Sequence, residues 1–460
     1  MNATKLLALL KGLTLAEKRD LKVFADLPSN RLMSRDKEAL AQLLSLNSQT
    51  LQKPEKVIWA NLFKQESPAE QNRVKTRLFQ MMEKYVALQQ LDQHAGLKLL
   101  LQTKFYEDRK IEKLANLSFN RSKKVLGKEN DFDQKAFLFW IYQQAILREK
   151  DIRRMDENME AMENCLDEFY ACNKLRILCE KANRRKILKK ANSGRKLEEE
   201  VGFLKRHVQS DLVGAYCDLF QMINGGSETD FIKVKQFVDQ EPKLRKVHLQ
   251  EFIAYLMNYC IRKFNGGDFS FTRHYLDFIR KLESKNLLLV GGILGIGRLK
   301  NTILSLQLNE GSKAAQTFLD TYGAFLDPKH KPYLLLAQAA IDLDQGKIDK
   351  ALEGIKEFQD SDVYLHDLYY KLTCDKLMLK CFYEKKDFPP ILKRVESIKA
   401  FVRSRRRLPE DRIAKNVNFL TAIERLAKNE KISIEEHDFT IPDYRWLTKV
   451  LGGSSDPSTT

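Results

Sequence analysis

The chain has 460 residues, a length that predicts about three domains or one extended solenoid, because a single compact core rarely grows so large. Its 79 lysines and arginines outnumber its 62 aspartates and glutamates, which gives a net charge of +17 and a basic isoelectric point. Only 11 prolines and 20 glycines occur, which permits long helices, and strand signals are nearly absent apart from the short run at 431–434.

The ends and the apolar runs predict no targeting or membrane segment. The short apolar run at 6–10 is followed by no small-residue cleavage site, so we predict no signal peptide. The longest apolar run, Leu287 to Ile296, is far shorter than the ~20 residues that span a bilayer. Seven cysteines, an odd number, are typical of a reducing compartment. We therefore expect no membrane span and a cytoplasmic location.

Residues 1–100 have the start signals of several helices. Thr14 and Glu17 have the spacing of a capping box ahead of an apolar run. Ser67, Pro68 and Glu70 repeat this pattern, with proline at the first helical position. Residues 28–30 and a proline at 54 indicate breaks between helices. This region is predicted to be an N-terminal helical module.

Residues 101–210 predict longer helices, of which the last begins near residue 155 and continues for about 30 residues. Its apolar stripe includes Cys165, Cys172 and Cys179, each seven residues from the next. Seven helical residues rise about 10.5 Å, whereas two thiolates on one zinc ion lie within about 4 Å of each other. We predict that these cysteines are small buried residues and not metal ligands.

Residues 211–430 contain a degenerate repeat. Turn signals recur at intervals of 35 to 45 residues, at Gly225, Gly266, Gly311, Gly346 and Lys385. Periods of about 34 to 47 residues are typical of helix-pair solenoids, so four or five stacked pairs are expected. The unit at 331–360 resembles a tetratricopeptide repeat (TPR), with Ala339 and Ala351 where its two helices cross and Gly346 at the turn.

The predicted fold is therefore all-α. It has an N-terminal helical module at 1–100, a long-helix middle region at 101–210 and a TPR-like α-solenoid of helix pairs at 211–430. Residues 431–460 are predicted to form a C-terminal cap helix and a disordered tail.

The middle of the chain resembles a family of uncharacterised helical-repeat proteins of Bacteroidota-type bacteria. These proteins pair a helix of the pattern "FY…KLR…CE…NR" with a later helix that contains a tyrosine. The matching positions are Phe169, Tyr170, Lys174, Leu175, Arg176, Cys179, Glu180, Asn183, Arg184 and Tyr216. The runs "IWANLF" at 58–63 and "RWL" at 445–447 are also similar. The resemblance implies a helical-repeat fold and no assigned function.

No pattern in the chain indicates catalysis, a cofactor or a metal. Seven histidines are scattered singly, without the pairs that zinc enzymes use. The glycines from Gly291 to Gly297 follow an apolar run, but their order reverses that of a dinucleotide-binding loop. We predict instead a glycine-rich first helix that packs closely against its neighbours, with a local hinge in the solenoid as an additional alternative. The chain is accordingly predicted not to be an enzyme.

Positive charge is concentrated in two segments, at 181–196 and 403–407. The candidate basic surface consists of Lys181, Arg184, Arg185, Lys186, Lys189, Lys190, Arg195, Lys196, Arg403, Arg405, Arg406 and Arg407. Such clusters bind phosphate-rich or acidic partners, but they also occur on helices that are merely solvated on most sides.

Two hypotheses of function follow from the sequence. The favoured one is a non-enzymatic helical-repeat scaffold that binds a protein or peptide. The alternative is a nucleic-acid-binding or nucleic-acid-associated regulatory protein that uses the basic helical surfaces. No pattern in the sequence specifies the oligomeric state.

Overall fold

The structure, a computed structural model, describes residues 2–46, 50, 55–63, 67–127, 132–188, 194–225, 227–240, 244–404, 410–432 and 439–452. Within these ranges the regular elements are 23 α-helices and three short 3-10 helices, with one isolated β-bridge between Val290 and Ile293. The predicted all-α class is therefore confirmed. No described helix combines the length and the apolar composition that crossing a bilayer requires.

The chain divides into two compact units, Met1–Tyr170 and Ala171–Thr460. The boundary falls inside one long helix, so that helix contributes its first part to one unit and its second part to the other. The four-part division expected from the sequence stays a prediction.

The first unit is built around one 26-residue helix. Its helices are α1 (Asn2–Gly12), α2 (Leu15–Ala25), α3 (Ser34–Leu44), α4 (Glu55–Leu62), α5 (Pro68–Gln93), α6 (Ala95–Asp108), α7 (Glu112–Leu126), α8 (Phe132–Arg148) and the first part of α9 (Ile152–Leu188). Helix α5 packs against α1, α2, α3 and α6. Its buried face includes Leu78 and Tyr85, which join Leu6, Leu21 and Leu40 in one apolar core.

Local capping in the first unit follows the sequence signals. The amide of Glu17 donates to Thr14 Oγ1 at 3.2 Å, and the Thr14 amide donates to Glu17 Oε2 at 2.7 Å. Ser67 accepts from the amide of Glu70 at 3.3 Å, one residue before the proline that begins α5. Both predicted helix starts are confirmed, because capping depends only on residues three positions apart.

The second unit contains the remaining helices. They are the second part of α9, α10 (Gly194–His207), α11 (Asp211–Asn224), α12 (Glu228–Gln240), α13 (Lys246–Asn265), α14 (Phe271–Ser284), α15 (Ile296–Asn309), α16 (Ser312–Tyr322), α17 (Tyr333–Asp344), α18 (Ile348–Gln359), α19 (Asp362–His366), α20 (Leu368–Glu384), α21 (Phe388–Ser404), α22 (Glu410–Ala427) and α23 (Ile441–Val450). Each of the five turn positions expected from the sequence lies between two of these helices. Helix α9 has 37 residues, as its long apolar stripe predicted.

The unit at 331–360 is the pair α17 and α18. Gly346 has a φ of 76°, a left-handed conformation that glycine adopts without steric cost. The Lys347 amide donates to the Asp342 carbonyl at 2.8 Å and so closes the end of α17. Ala339 and Ala351 are fully buried where the helices cross. These small side chains allow the close approach of α17 and α18 that the sequence predicted.

The glycine-rich stretch differs from its prediction. Gly291 and Gly292 have φ values of 59° and 78° and form a two-residue turn, closed by hydrogen bonds in both directions between Val290 and Ile293. Helix α15 begins only at Ile296. A Cβ atom added at either glycine would meet nothing within 4 Å, so these glycines do not serve close packing. The expectation of a glycine-rich helix was wrong, because two successive positive φ angles favour a hairpin-type turn.

The C-terminal helix α23 contacts three positions that are distant in the chain. The Arg445 guanidinium lies 3.1 Å from the Asp344 carboxylate, at the end of α17. Trp446 Nε1 donates to Glu384 at 2.9 Å, at the end of α20. The ring of Tyr444 lies 5.5 Å from that of Phe269, just before α14. Helix α23 therefore links turns that belong to different helix pairs.

A buried ion cluster also fixes α23. Asp443 is 1% exposed, and its carboxylate lies 2.6 Å from the ammonium of Lys376 and 2.9 Å from that of Lys380, both on α20. Thr440 Oγ1 donates to the same carboxylate at 2.5 Å, and the Lys380 ammonium also donates to the Pro442 carbonyl at 2.9 Å. We call Asp443, Lys376 and Lys380 the Asp443 cluster.

Candidate functional site

The structure describes only part of the basic surface that the sequence predicts. Lys181 and Arg184 are exposed on α9, Arg185 is half-buried there, and Arg403 is exposed near the end of α21. Lys186 lies in α9, and Arg195 and Lys196 lie in the first turn of α10, but their side chains are outside the described part of the structure. Lys189, Lys190, Arg405, Arg406 and Arg407 lie outside the described residues. A single surface formed by the two segments stays a prediction.

One member of the predicted surface has a carboxylate partner in its own helix. Arg184 Nε lies 2.6 Å from the Glu180 carboxylate, one helical turn away. An exposed pair of this kind contributes only about 0.3–0.5 kcal/mol, so it can exchange readily for another partner. Arg184 is therefore partly neutralised in the isolated chain.

The residues that carry the family resemblance hold helices together. Arg176 of α9 forms an ion pair of 2.8 Å with Glu251 of α13, and the Tyr216 hydroxyl donates to the same carboxylate at 3.3 Å. The Tyr255 hydroxyl donates to Glu180 at 3.0 Å. We call these five residues the α9 network. It joins α9 to α11 and α13, which is a structural role for polar residues that the sequence could not explain.

Burial keeps the two tyrosines of the α9 network protonated. Burial, together with the nearby charge of Glu251, raises the pKa of Tyr216 far above its ordinary value. Burial and the hydrogen bond to Glu180 do the same to the pKa of Tyr255. Both phenols therefore remain neutral donors at physiological pH, and the two carboxylates accept their hydrogen bonds.

Replacing Glu251 by glutamine should lower the free energy of unfolding by about 1–3 kcal/mol, because the charged hydrogen bonds between Arg176 and this carboxylate are lost. Chemical denaturation followed by far-ultraviolet circular dichroism would measure the change. Glu353→Gln is the matched control, since Glu353 is exposed on α18 and has no ion pair among the described residues. Equal stability of the two variants would contradict a stabilising role for the network.

The cysteine stripe is buried, as predicted. All seven cysteines are buried and none forms a disulfide. Burial raises the pKa of Cys179 well above its ordinary value and that of Cys374 to about 12. These thiols remain protonated at neutral pH, so they are poor nucleophiles.

A polar cleft lies between α16, α17 and α18. It has a volume of about 510 Å³. Its lining residues are polar or charged, namely Lys313, Gln316, Thr317, Gln338, Asp342, Gln345, Lys347 and Lys350. A reciprocal amide pair joins two of the helices, since Gln316 Nε2 donates to Gln338 at 2.9 Å and Gln338 Nε2 donates to Gln316 at 2.8 Å. The cleft therefore has a rigid polar wall.

The lysines of the cleft form no ion pairs in the described part of the protein. The exposed ammonium groups of Lys313, Lys347 and Lys350 form no ion pair with any described carboxylate, although Lys347 donates to Gln345 at 2.6 Å. Asp342 is only 7% exposed, and no described residue donates a hydrogen bond to its carboxylate. The cleft therefore offers one carboxylate and three ammonium groups to a ligand.

Sequence reasoning missed this cleft. Its residues come from three helices, and each looks like an ordinary solvated position when it is seen on its own helix. The only sequence signal is Asp342, a carboxylate at a position that the period of α17 places among buried residues.

Comparison of the chain with family models, curated proteins and solved structures finds no match. The resemblance to the helical-repeat family therefore stays a prediction, and function must be inferred from the residues of this chain.

Proposed function

We propose that this protein is a non-enzymatic, TPR-like helical-repeat scaffold that binds a segment of a partner protein in the cleft between α16, α17 and α18. The segment carries several carboxylates and one central cationic side chain. The carboxylates pair with Lys313, Lys347 and Lys350, and the cation pairs with Asp342.

The order of packing in the second unit supports a repeat scaffold. Each helix from α10 to α18 packs against the next one in the chain. In addition, first helices of successive pairs pack on each other, as α11 does on α13, α15 on α17 and α17 on α20. This is the pattern expected when each pair buries its apolar face against its neighbours.

The charged side chains that line the cleft are the observation that supports this choice of partner. Exposed ion pairs contribute about 0.2–1 kcal/mol each, so three lysines together change affinity on the order of tenfold. Pairing of Asp342 with a cation contributes specificity, because a ligand without that cation leaves this carboxylate of the cleft without a charged partner.

The test is a fluorescence anisotropy titration of the full chain with a labelled synthetic peptide in which one lysine lies between two pairs of glutamates. We expect Lys313→Gln, Lys347→Gln and Lys350→Gln in combination to weaken binding roughly tenfold. A matched control replaces three exposed lysines outside the cleft, Lys246, Lys285 and Lys393, and keeps the same net charge as the first variant.

A second comparison tests the role of Asp342. Asp342→Asn should weaken binding of the lysine peptide but not of the same peptide with alanine at its centre. If the cleft variant and the control bind equally, or if the chain binds only nucleic acid at ~50 mM salt, the proposal is wrong.

A further inference from the structure

A second pocket lies at the ends of α11 and α13, away from the residues of the cleft. It has a volume of about 390 Å³ and includes Gly225 and Gly266 at its edge. Its polar side chains are Tyr259, Arg262, Lys263 and Asp268. Three of these four side chains are hydrogen-bond donors at neutral pH.

Two of the donors are cations that face one aromatic ring. The Arg262 guanidinium lies 5.6 Å from the centroid of the Tyr259 ring, and the Lys263 ammonium lies 5.8 Å from the same centroid. Neither cation forms an ion pair or a hydrogen bond with any described side chain. Burial lowers the pKa of Arg262, which reflects the cost of holding this half-buried charge without an acceptor.

The third donor is a buried hydroxyl. Tyr259 is 4% exposed, and its hydroxyl has no hydrogen-bond partner in the part of the chain that the structure describes. Phe231 stacks on the ring with centroids 5.0 Å apart and holds it in place. Burial and the nearby charge of Glu228 raise the pKa of Tyr259, so its hydroxyl keeps its proton. Unsatisfied buried polar atoms are uncommon in native proteins, and the Tyr259 hydroxyl is the one among those of the described chain that belongs to a residue lining this pocket.

The surroundings of the pocket contain charges of both signs. Lys415 of α22 donates to the carbonyl of Asn265 at 2.8 Å, which brings a third ammonium beside Gly266. Asp268 is the one carboxylate that lines the pocket, and its Oδ1 accepts from Ser270 at 2.6 Å. Of the charged side chains that line the pocket itself, two are cations and one is a carboxylate.

We propose that this pocket binds a phosphate group, either as free inorganic phosphate or as a phosphate monoester. Arg262 and Lys263 supply the positive charge, and the Tyr259 hydroxyl is the neutral donor. A guanidinium binds phosphate oxygens through two parallel N–H groups, which suits a tetrahedral oxyanion in a small pocket. This site is independent of the peptide cleft.

The test is isothermal titration calorimetry. The full chain is titrated with inorganic phosphate and, separately, with O-phosphoserine, at constant ionic strength set by sodium chloride. We expect saturable binding of at least one of them, and the tighter of the two identifies the source of the phosphate group. Arg262→Gln with Lys263→Gln should weaken binding at least tenfold. Tyr259→Phe should weaken it about 2- to 10-fold, which corresponds to one hydrogen bond.

The matched control is Lys246→Gln with Lys285→Gln, which removes the same charge from exposed positions of the same unit. It should bind phosphate as the unchanged protein does. Circular dichroism would verify that every variant is folded.

Arg262 and Lys263 also lie in the last turn of α13, where cations complement the helix dipole. If the unchanged protein shows no saturable binding, or if the pocket variant and the control bind equally, these cations serve only the helix end and the proposal is wrong.

Discussion

Replacing Asp443 by asparagine should lower the free energy of unfolding of the second unit by about 3–5 kcal/mol. The change leaves two ammonium groups, of which Lys380 is 3% exposed, without their carboxylate. Burial already lowers the pKa of Lys380 with Asp443 present. Removal of the carboxylate therefore destabilises the charged form of this buried lysine further. Chemical denaturation would measure the loss. Asp360→Asn is the control, because Asp360 is exposed and has no ion pair among the described residues.

The same variant should change the dependence of stability on pH. Burial alone would raise the pKa of Asp443, but the charges of Lys376 and Lys380 and the hydrogen bonds outweigh it and hold that pKa far below its ordinary value. A carboxylate with a depressed pKa in the folded state contributes stability above its unfolded pKa of about 3.9 and loses it as the pH falls toward the folded value.

The difference in unfolding free energy between the unchanged protein and Asp443→Asn should therefore be constant between about pH 5 and pH 7 and should narrow below about pH 4. Denaturation at a series of pH values would measure it. A difference below about 1 kcal/mol at neutral pH would mean that the cluster does not hold α23 in place.

Replacing Phe358 by alanine should lower the free energy of unfolding by about 3–5 kcal/mol. Phe358 is fully buried in α18, and its ring lies 6.2 Å from those of Tyr333 and Tyr364. The surrounding core is closely packed against α17 and α20, so the space left by the ring cannot collapse easily. Chemical denaturation followed by circular dichroism would measure the loss.

Two further variants serve as controls for this prediction. Phe358→Leu should cost about 1–2 kcal/mol, because most of the buried volume remains. Phe325→Ala removes the same ring from a position that is 42% exposed and should cost less than about 1 kcal/mol. If Phe358→Ala and Phe325→Ala have similar effects, the pair α17 and α18 is not held by this core.

Phe358 and Asp443 also differ in how well their burial can be predicted from the sequence. Phe358 recurs at helical spacing with Ala351 and Ile355, so its burial could be expected from the local pattern. Asp443 gives no such signal, because its partners lie 67 and 63 positions earlier in the chain. A charged residue near the C-terminus is normally exposed, and only the position of α20 makes this one buried.

What the sequence by itself determined is the local structure of the described chain. The capping box at Thr14, the proline start of α5, the long helix α9 and the turn at Gly346 all depend on residues a few positions apart. Backbone geometry and the 3.6-residue period act over that distance, so the residues suffice to predict these elements. The stretch at Gly291 was misread because glycine permits both a helix start and a turn with positive φ.

Only the tertiary structure decided which polar residues share a site. The cleft combines Lys313 of α16 with Asp342 of α17 and Lys350 of α18, and the pocket that we propose to bind phosphate is lined by residues at the ends of both α11 and α13. Whether a lysine is solvated or lines a concave surface depends on how neighbouring helices cross, and the packing of side chains from distant parts of the chain sets that crossing.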